Sequence, residues 1–373
     1  MFEFRCPPIT TINPSLAKGR TIVVWQRMLA LSLLALLTGI SAIAQSEAPW
    51  NRLYVTNYLS NNVSVIDLSA GKVMATIPVG NNPTGMAVSP DKEEVYVANM
   101  WSGTVSVIST AQNAVTHTIA IPTFNAPAVP FGMAMMPDGS KVYVTNINDG
   151  TVRVIDTQTK RVVATITAAY DWAMRYIAIS PDGEYAWAIG TGDGKISVIR
   201  TADNQVVAKI FGLPSARHMA FTPDGTRAYV TGDKFSRVYV IDAVKFALLT
   251  TLQFPTGSGT ITTDICSDGK FAMVSNFFGK PTLIDIDPKS SRYHQIIGEV
   301  PPKSSYEYCI AIAPDGRFAY LSNQADRGAT PNSINIIDLN AQSPTRNTII
   351  NSITVGTQPW GIAIVKQAAN FEQ

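Results

Sequence analysis

The chain has 373 residues, 46% of them hydrophobic and 15% charged, with a formal net charge of +2. That length would hold two ordinary domains, and the near-balanced charge gives no electrostatic reason to expect nucleic acid or an anionic membrane surface as partner. The 3 histidines and 3 cysteines show no clustered metal-ligand spacing, and no phosphate loop, nucleophile elbow, haem-attachment or calcium-loop motif occurs. Neither metal nor cofactor is therefore expected.

At the N-terminus, Lys18, Arg20 and Arg27 precede an apolar run from Met28 to Leu37, and small residues end at Ala42-Ile43-Ala44 before Gln45. A basic region, an apolar core and an Ala-x-Ala site read as a secretory signal peptide. The alternative, an uncut anchor, has only residues 28–44, near the lower limit for spanning a bilayer. The expectation is therefore removal of residues 1–44, export to the periplasm, cell surface or medium, and no stable membrane insertion after cleavage. Cys6 leaves with that segment. Cys266 and Cys309 fall at opposite ends of equivalent strands, too far apart for a bridge, so two free buried thiols are expected.

From residue 53 onward the chain repeats itself. Pro137-Asp138-Gly139 leads to Tyr143-Val144-Thr145-Asn146 and then to Thr151-Val152-Arg153-Val154-Ile155-Asp156. Equivalents of Tyr143 stand at 54, 96, 187, 229, 273 and 320, so the period lies in the forties. Each repeat divides into four strands. The first alternates large and small residues, as in Ile177-Ala178-Ile179-Ser180, and ends in a Pro-Asp-Gly turn, where Pro presets φ and Gly accepts a positive φ. Tyr-Val-Thr-Asn is the second strand, and the Thr-Val-Ser-Val-Ile type is the third. The fourth, such as Val162-Val163-Ala164-Thr165-Ile166, has the polar residues of an outer edge. Seven such units make an all-β, seven-bladed propeller of four-stranded blades, one domain over 45–373. The first repeat lacks its initial strand, and Pro359-Trp360-Gly361-Ile362-Ala363-Ile364-Val365 follows the seventh. That segment is expected to pair into blade 1 and close the ring.

These repeats resemble the YVTN-type β-propeller family across residues 53–365. The resemblance implies an exported propeller. Family members serve as surface proteins, binding scaffolds and subunits of redox enzymes, so the fold leaves the activity open.

Candidate site residues are those entering the inner strands, where loops from one face meet the axis. Six residues before the Pro of Pro-Asp-Gly stand Trp360, Thr84, Phe131, Arg175, Arg217, Ile261 and Tyr308. One residue later come Gly361, Gly85, Gly132, Tyr176, His218, Thr262 and Cys309. Arg175 and Arg217 hold equivalent places in consecutive blades and need an anionic partner. It is either internal (Asp171, Glu307 or Asp264) or a ligand's anionic group, with Trp360, Phe131, Tyr176 and Tyr308 offering apolar surface around it. His218 should then be mostly neutral. Asp264 replaces an alanine on an inner strand. It is satisfied by Thr262, Thr263 or water, or it serves a ligand or ion. His117 and His294 are placed in outer strands.

The reading this supports is a binding or scaffold protein that takes a protein partner or a small anionic ligand at the channel mouth. The alternative is an enzyme or enzyme subunit. Propellers of this appearance include lactonases and lyases with His, Arg and Glu at the mouth, and amine-dehydrogenase propeller subunits. Arg175, Arg217, His218 and Glu307 are the candidates for that role.

Overall fold

The computed structural model describes residues 51–123, 126–168, 174–192, 194–301, 306–324 and 331–365. The expected signal segment and Asp171 lie outside the described residues. Seven four-stranded antiparallel sheets form the blades of a propeller. Blade 2 is typical, with strands Pro83–Val88, Glu94–Asn99, Thr104–Ser109 and Ala114–Ala120 from axis to rim. Val95 to Asn99 are all buried, because a second strand packs on neighbouring blades through both faces. It therefore reads as a continuous buried run rather than an alternating one. The rim strand exposes Thr116, His117 and Thr118, as its Thr and His content predicts.

The turns follow the expected chemistry. Gly183 of Pro181-Asp182-Gly183 has φ +76°, a conformation that strains any residue with a Cβ. Asp182 accepts the Glu184 amide at 2.9 Å, fixing the turn from the side-chain side. On the same face, tyrosines of the second strands reach into the next blade. Tyr54 donates to Asn113 (2.7 Å), Tyr143 to Asn204 (2.9 Å), and Tyr229 Oη lies 3.0 Å from His294 Nε2. Asn113, Asn204 and His294 all have positive φ at the turn before a rim strand. His294 thus sits in a turn rather than in the outer strand anticipated for it, while His117 lies in one. Cys266 and Cys309 are free thiols. Cys266 is buried, but Cys309 is only half-buried because it faces the channel.

The ring closes as expected. Pro359–Val365 pairs antiparallel with Arg52–Asn57, placing Tyr54 opposite Ala363 and Leu53 opposite Ile364. Ala363 and Val365 join a core shared by blades 1 and 2, and Ile362 and Ile364 pack on the core between blades 7 and 1. One strand therefore seals two apolar seams, and its removal would expose both. Truncation after Gly356 is expected to abolish cooperative thermal unfolding or cause aggregation. A soluble truncated chain with unchanged melting would contradict this role for the strand.

Candidate functional site

Every inner strand carries the same irregularity: two of its residues face one residue of the second strand. Thr84-Gly85 oppose Ala98, Arg175-Tyr176 oppose Ile189, Arg217-His218 oppose Thr231, and Trp360-Gly361 oppose Thr56. Blades 3, 6 and 7 repeat it. A bulge breaks the period of two and re-aims the side chain at its first position. The two sets of positions picked out by repeat alignment are the two residues of these seven bulges, so the fold brings the candidates together at one end of the channel.

The bulges are stitched together by hydroxyls. Thr56 Oγ1 accepts the Gly361 amide at 2.8 Å and donates to the Thr84 carbonyl of the next blade at 2.9 Å. Thr145, Thr231, Ser275 and Ser322 make the same bridge. Blade 2 has Ala98 in place of the hydroxyl, and Thr84 itself donates to the Phe131 carbonyl at 3.0 Å. The joint from blade 4 to blade 5 differs. Ile189 has no hydroxyl, and among the described residues none reaches the Arg217 carbonyl. Instead the Tyr176 and His218 rings lie together, with centroids 3.7 Å apart. The preceding joint requires Gly132, where a Cβ would come within 2.5 Å of the Arg175 carbonyl oxygen. The repeat is thus broken where the two arginines stand.

Five large side chains complete the mouth. The Arg175 guanidinium lies 5.6 Å from the centre of the Phe131 ring, and that ring meets Trp360 edge-on at 5.8 Å. Trp360 packs on Tyr308 at 4.2 Å, and the Tyr308 hydroxyl accepts a hydrogen bond from Arg217. The two arginines face each other across the remaining gap, and each is half-buried.

Their electrostatics diverge. Arg217 is paired with Asp233 at 2.7 Å. Burial alone would lower its pKa, but Tyr308 and Asp233 outweigh burial and hold it raised. Arg175 is lowered by burial and then by Arg217, and among the described residues no carboxylate pairs with it. The internal partner anticipated from Glu307 or Asp264 is not supplied by either. Asp264 instead accepts the amides of Ile312 in the next blade (2.7 Å) and Ile265 (2.9 Å), rather than bonding to Thr262 or Thr263. Burial still raises its pKa to about 6. Glu307 is fully buried and its carboxyl oxygens have no hydrogen-bond partner among the described residues, so burial raises it to about 8. His218 is pushed down to about 3 by burial and by Arg217 and is neutral, as expected. Its Nδ1 accepts the Thr263 amide at 3.4 Å, which leaves the ring proton on Nε2.

Asp233 was not among the anticipated partners. It is the first residue after Tyr229-Val230-Thr231-Gly232, and the equivalent residue of blade 1, Tyr58, stacks on Trp360 at 5.2 Å. The position directly after the Tyr-Val-Thr-Asn motif therefore also reaches the mouth in blades 1 and 5. Its signal was present in the repeat alignment.

Two hollows meet at the arginines. A cavity of about 470 Å³ runs down the channel from Phe131 and Trp360 past Asp264 and Ala311 to Pro181. A second, also about 470 Å³, opens on the loop face between blades 4 and 5, floored by Gly192, Gly212 and Ser215. Arg175 and Arg217 line both. The arrangement can hold an anion at a partly desolvated guanidinium with apolar rings beside it. Among the described residues no group of His, Cys, Asp and Glu is placed to hold a metal ion.

This architecture is that of a seven-bladed propeller with a differentiated mouth, and residues 52–369 match the family described as lactonase, 7-bladed beta-propeller. The chain belongs to that family. No curated protein matches it. Among solved structures, Kuenenia stuttgartiensis hydrazine synthase is similar with a TM-score of 0.64 and 20% identity, covering 77% of this chain and 96% of that one. A functionally unknown protein from Desulfotomaculum acetoxidans DSM 771 gives 0.69 and 15%, covering 85% and 100%. At these identities the likeness extends to the fold alone.

The Glu307 environment makes a pH prediction. Its folded pKa of about 8 lies above the ordinary 4.5, so its neutral form is favoured in the fold. The corresponding stability is present at low pH and is lost as pH rises through about 8. Glu307→Gln, which mimics the neutral acid, should lose less melting temperature than wild type between about pH 5 and about pH 9. Parallel curves for the two proteins would place Glu307 in contact with water or a cation.

Proposed function

We propose that the channel mouth binds a small anionic ligand, or the anionic end of a peptide, that also carries an apolar part. The observation that carries this reading is Arg175. It is half-buried and lowered in pKa by burial and by Arg217. It lies beside Phe131, faces two hollows, and has no carboxylate partner among the described residues. A guanidinium so placed gains most from a carboxylate or similar group offering two acceptors. Arg217, already neutralised by Asp233, holds Tyr308 and the second wall in place. The remaining aromatic rings supply contact area. The protein is read as an exported binding protein on the strength of its N-terminal sequence.

The test is thermal stabilisation by a panel of aromatic and aliphatic carboxylates at low and high salt. Wild type should be stabilised, less so at high salt, and Arg175→Ala should lose the response while still folding. A wild type that responds to no carboxylate, or an Arg175→Ala that responds as wild type does, overturns the proposal.

Family membership favours a second reading, hydrolysis of a lactone in the channel. Ring opening needs a base for the attacking water. His218 is ill suited to that role, because its Nδ1 is engaged by an amide and its pKa is about 3. Glu307 is sealed from solvent. Asp264, with a pKa of about 6, lines the cavity and ionises near neutrality. In this reading lactone hydrolysis rises as pH increases through about 6 and is lost in Asp264→Asn. Hydrolysis that persists in that variant, or shows no rise with pH, removes Asp264 from the role.

A further inference from the structure

The loop face varies in polarity from blade to blade. The loops between second and third strands begin with Tyr58-Leu59 in blade 1 and Met100-Trp101 in blade 2, but with Asn148 after Ile147 in blade 3, Thr191-Gly192 in blade 4 and Asp233-Lys234 in blade 5. The loops of blades 1 and 2, beside Trp360, thus begin with apolar residues, and those of blades 4 and 5, which carry the arginines, with polar ones; Gln324 opens the blade 7 loop, and Phe277-Phe278 form a separate apolar pair on blade 6. On the Trp360 side the aromatic groups form a continuous chain outward. Phe131 and Tyr308 are buried and both meet Trp360. Trp360 meets Tyr58 at 5.2 Å, and the Tyr58 hydroxyl accepts the Trp101 indole N–H at 3.3 Å. Exposure rises along the way, through half-buried Trp360 and Tyr58 to Trp101, which is 61% exposed.

Trp101 is held, not loose. Its amide donates to the Asn81 carbonyl at 3.2 Å, and the Met100 amide donates to that of Asn82 at 3.1 Å. The Tyr58 hydroxyl also lies 3.8 Å from Met100 Sδ. A tryptophan left this exposed and fixed by hydrogen bonds loses little entropy when something covers it, and its apolar area is available for burial.

We propose that the ligand of the mouth carries a flexible aliphatic chain, which runs from Arg175 across Trp360 and Tyr58 to Trp101. This rests on the anion-binding reading above and names the apolar part. The choice of an aliphatic chain over a fused ring follows from the ring angles. Tyr308 and Trp360 are inclined by 48°, Tyr58 and Trp360 by 31°, and Phe131 stands at 88° to Trp360. These faces make a corrugated track with no shared plane. A jointed chain can follow it, while a rigid flat ring system would touch one face at a time.

The experiment is calorimetric titration of the full chain with acetate, butyrate, octanoate and dodecanoate, and with naphthoate as the flat competitor. Affinity should rise with chain length by about twofold per methylene, less than full burial would give because the track is open on one side. Trp101→Ala should reduce dodecanoate binding by about tenfold and leave butyrate unchanged. Phe278→Ala, which removes a ring 66% exposed on blade 6, should change neither. The aliphatic track is overturned if affinity does not grow with chain length, if naphthoate outbinds dodecanoate, or if Phe278→Ala rather than Trp101→Ala removes the gain. Short carboxylates that bind through Arg175 without a length dependence would sink the track and leave the anion site standing. Absence of binding by every carboxylate would overturn both.

Discussion

The structure depends on one kind of joint, bridged by a hydroxyl at six of its seven places, and on the last blade meeting the first. Each of these six joints satisfies a backbone carbonyl of one inner strand from its neighbour where the strands crowd the axis. The bulge supplies that carbonyl by turning it out of its own ladder, and a threonine or serine hydroxyl receives an amide on one side and donates to the carbonyl on the other. A buried carbonyl without such a partner costs more than the bond itself contributes, which is why Thr84 takes over where blade 2 has Ala98. Closure by Pro359–Val365 then uses the same geometry as the other bridged joints.

The bulge that solves the packing problem also builds the mouth. By re-aiming one side chain per blade toward the axis, it gives the protein positions that, apart from Thr84, the hydroxyl bridge does not use. At the blade 4 to blade 5 joint the chain spends two of these on arginine and replaces the hydroxyl bridge with the Tyr176–His218 stack. Two guanidinium groups held close in a partly desolvated site repel each other. Among the described residues one carboxylate, Asp233, answers them, and it pairs with Arg217.

The chain belongs to the lactonase propeller family, and among the described residues the titratable groups near the channel differ in how free they are to move a proton. His218 is kept neutral and tied by an amide, and Glu307 is neutral and enclosed. Asp264 is an acid in the channel whose ionisation falls near neutrality, yet it also accepts the Ile265 amide of its own strand and the Ile312 amide of blade 7, which ties blade 6 to blade 7. A group fixed so firmly is suited to orienting a polar atom of a ligand as much as to moving a proton.

The repeat made the fold legible. Pro-Asp-Gly turns, Tyr-Val-Thr-Asn strands and the unpaired segment 359–365 determined the number of blades, their strand order and the closure, because each depends on local turn chemistry and on a period counted along the chain. Alignment also brought Arg175, Arg217, His218, Tyr308 and Trp360 to one ring. What it could not decide was which charge meets which. Asp233 pairs with Arg217 while Glu307, one residue from Tyr308, faces away into the blades, because a single step along a bulged strand changes the direction of a side chain. The neutral state of Glu307 and the raised pKa of Asp264 were likewise settled only in three dimensions. Burial is a property of what surrounds a group, and those neighbours come from blades far apart in the chain.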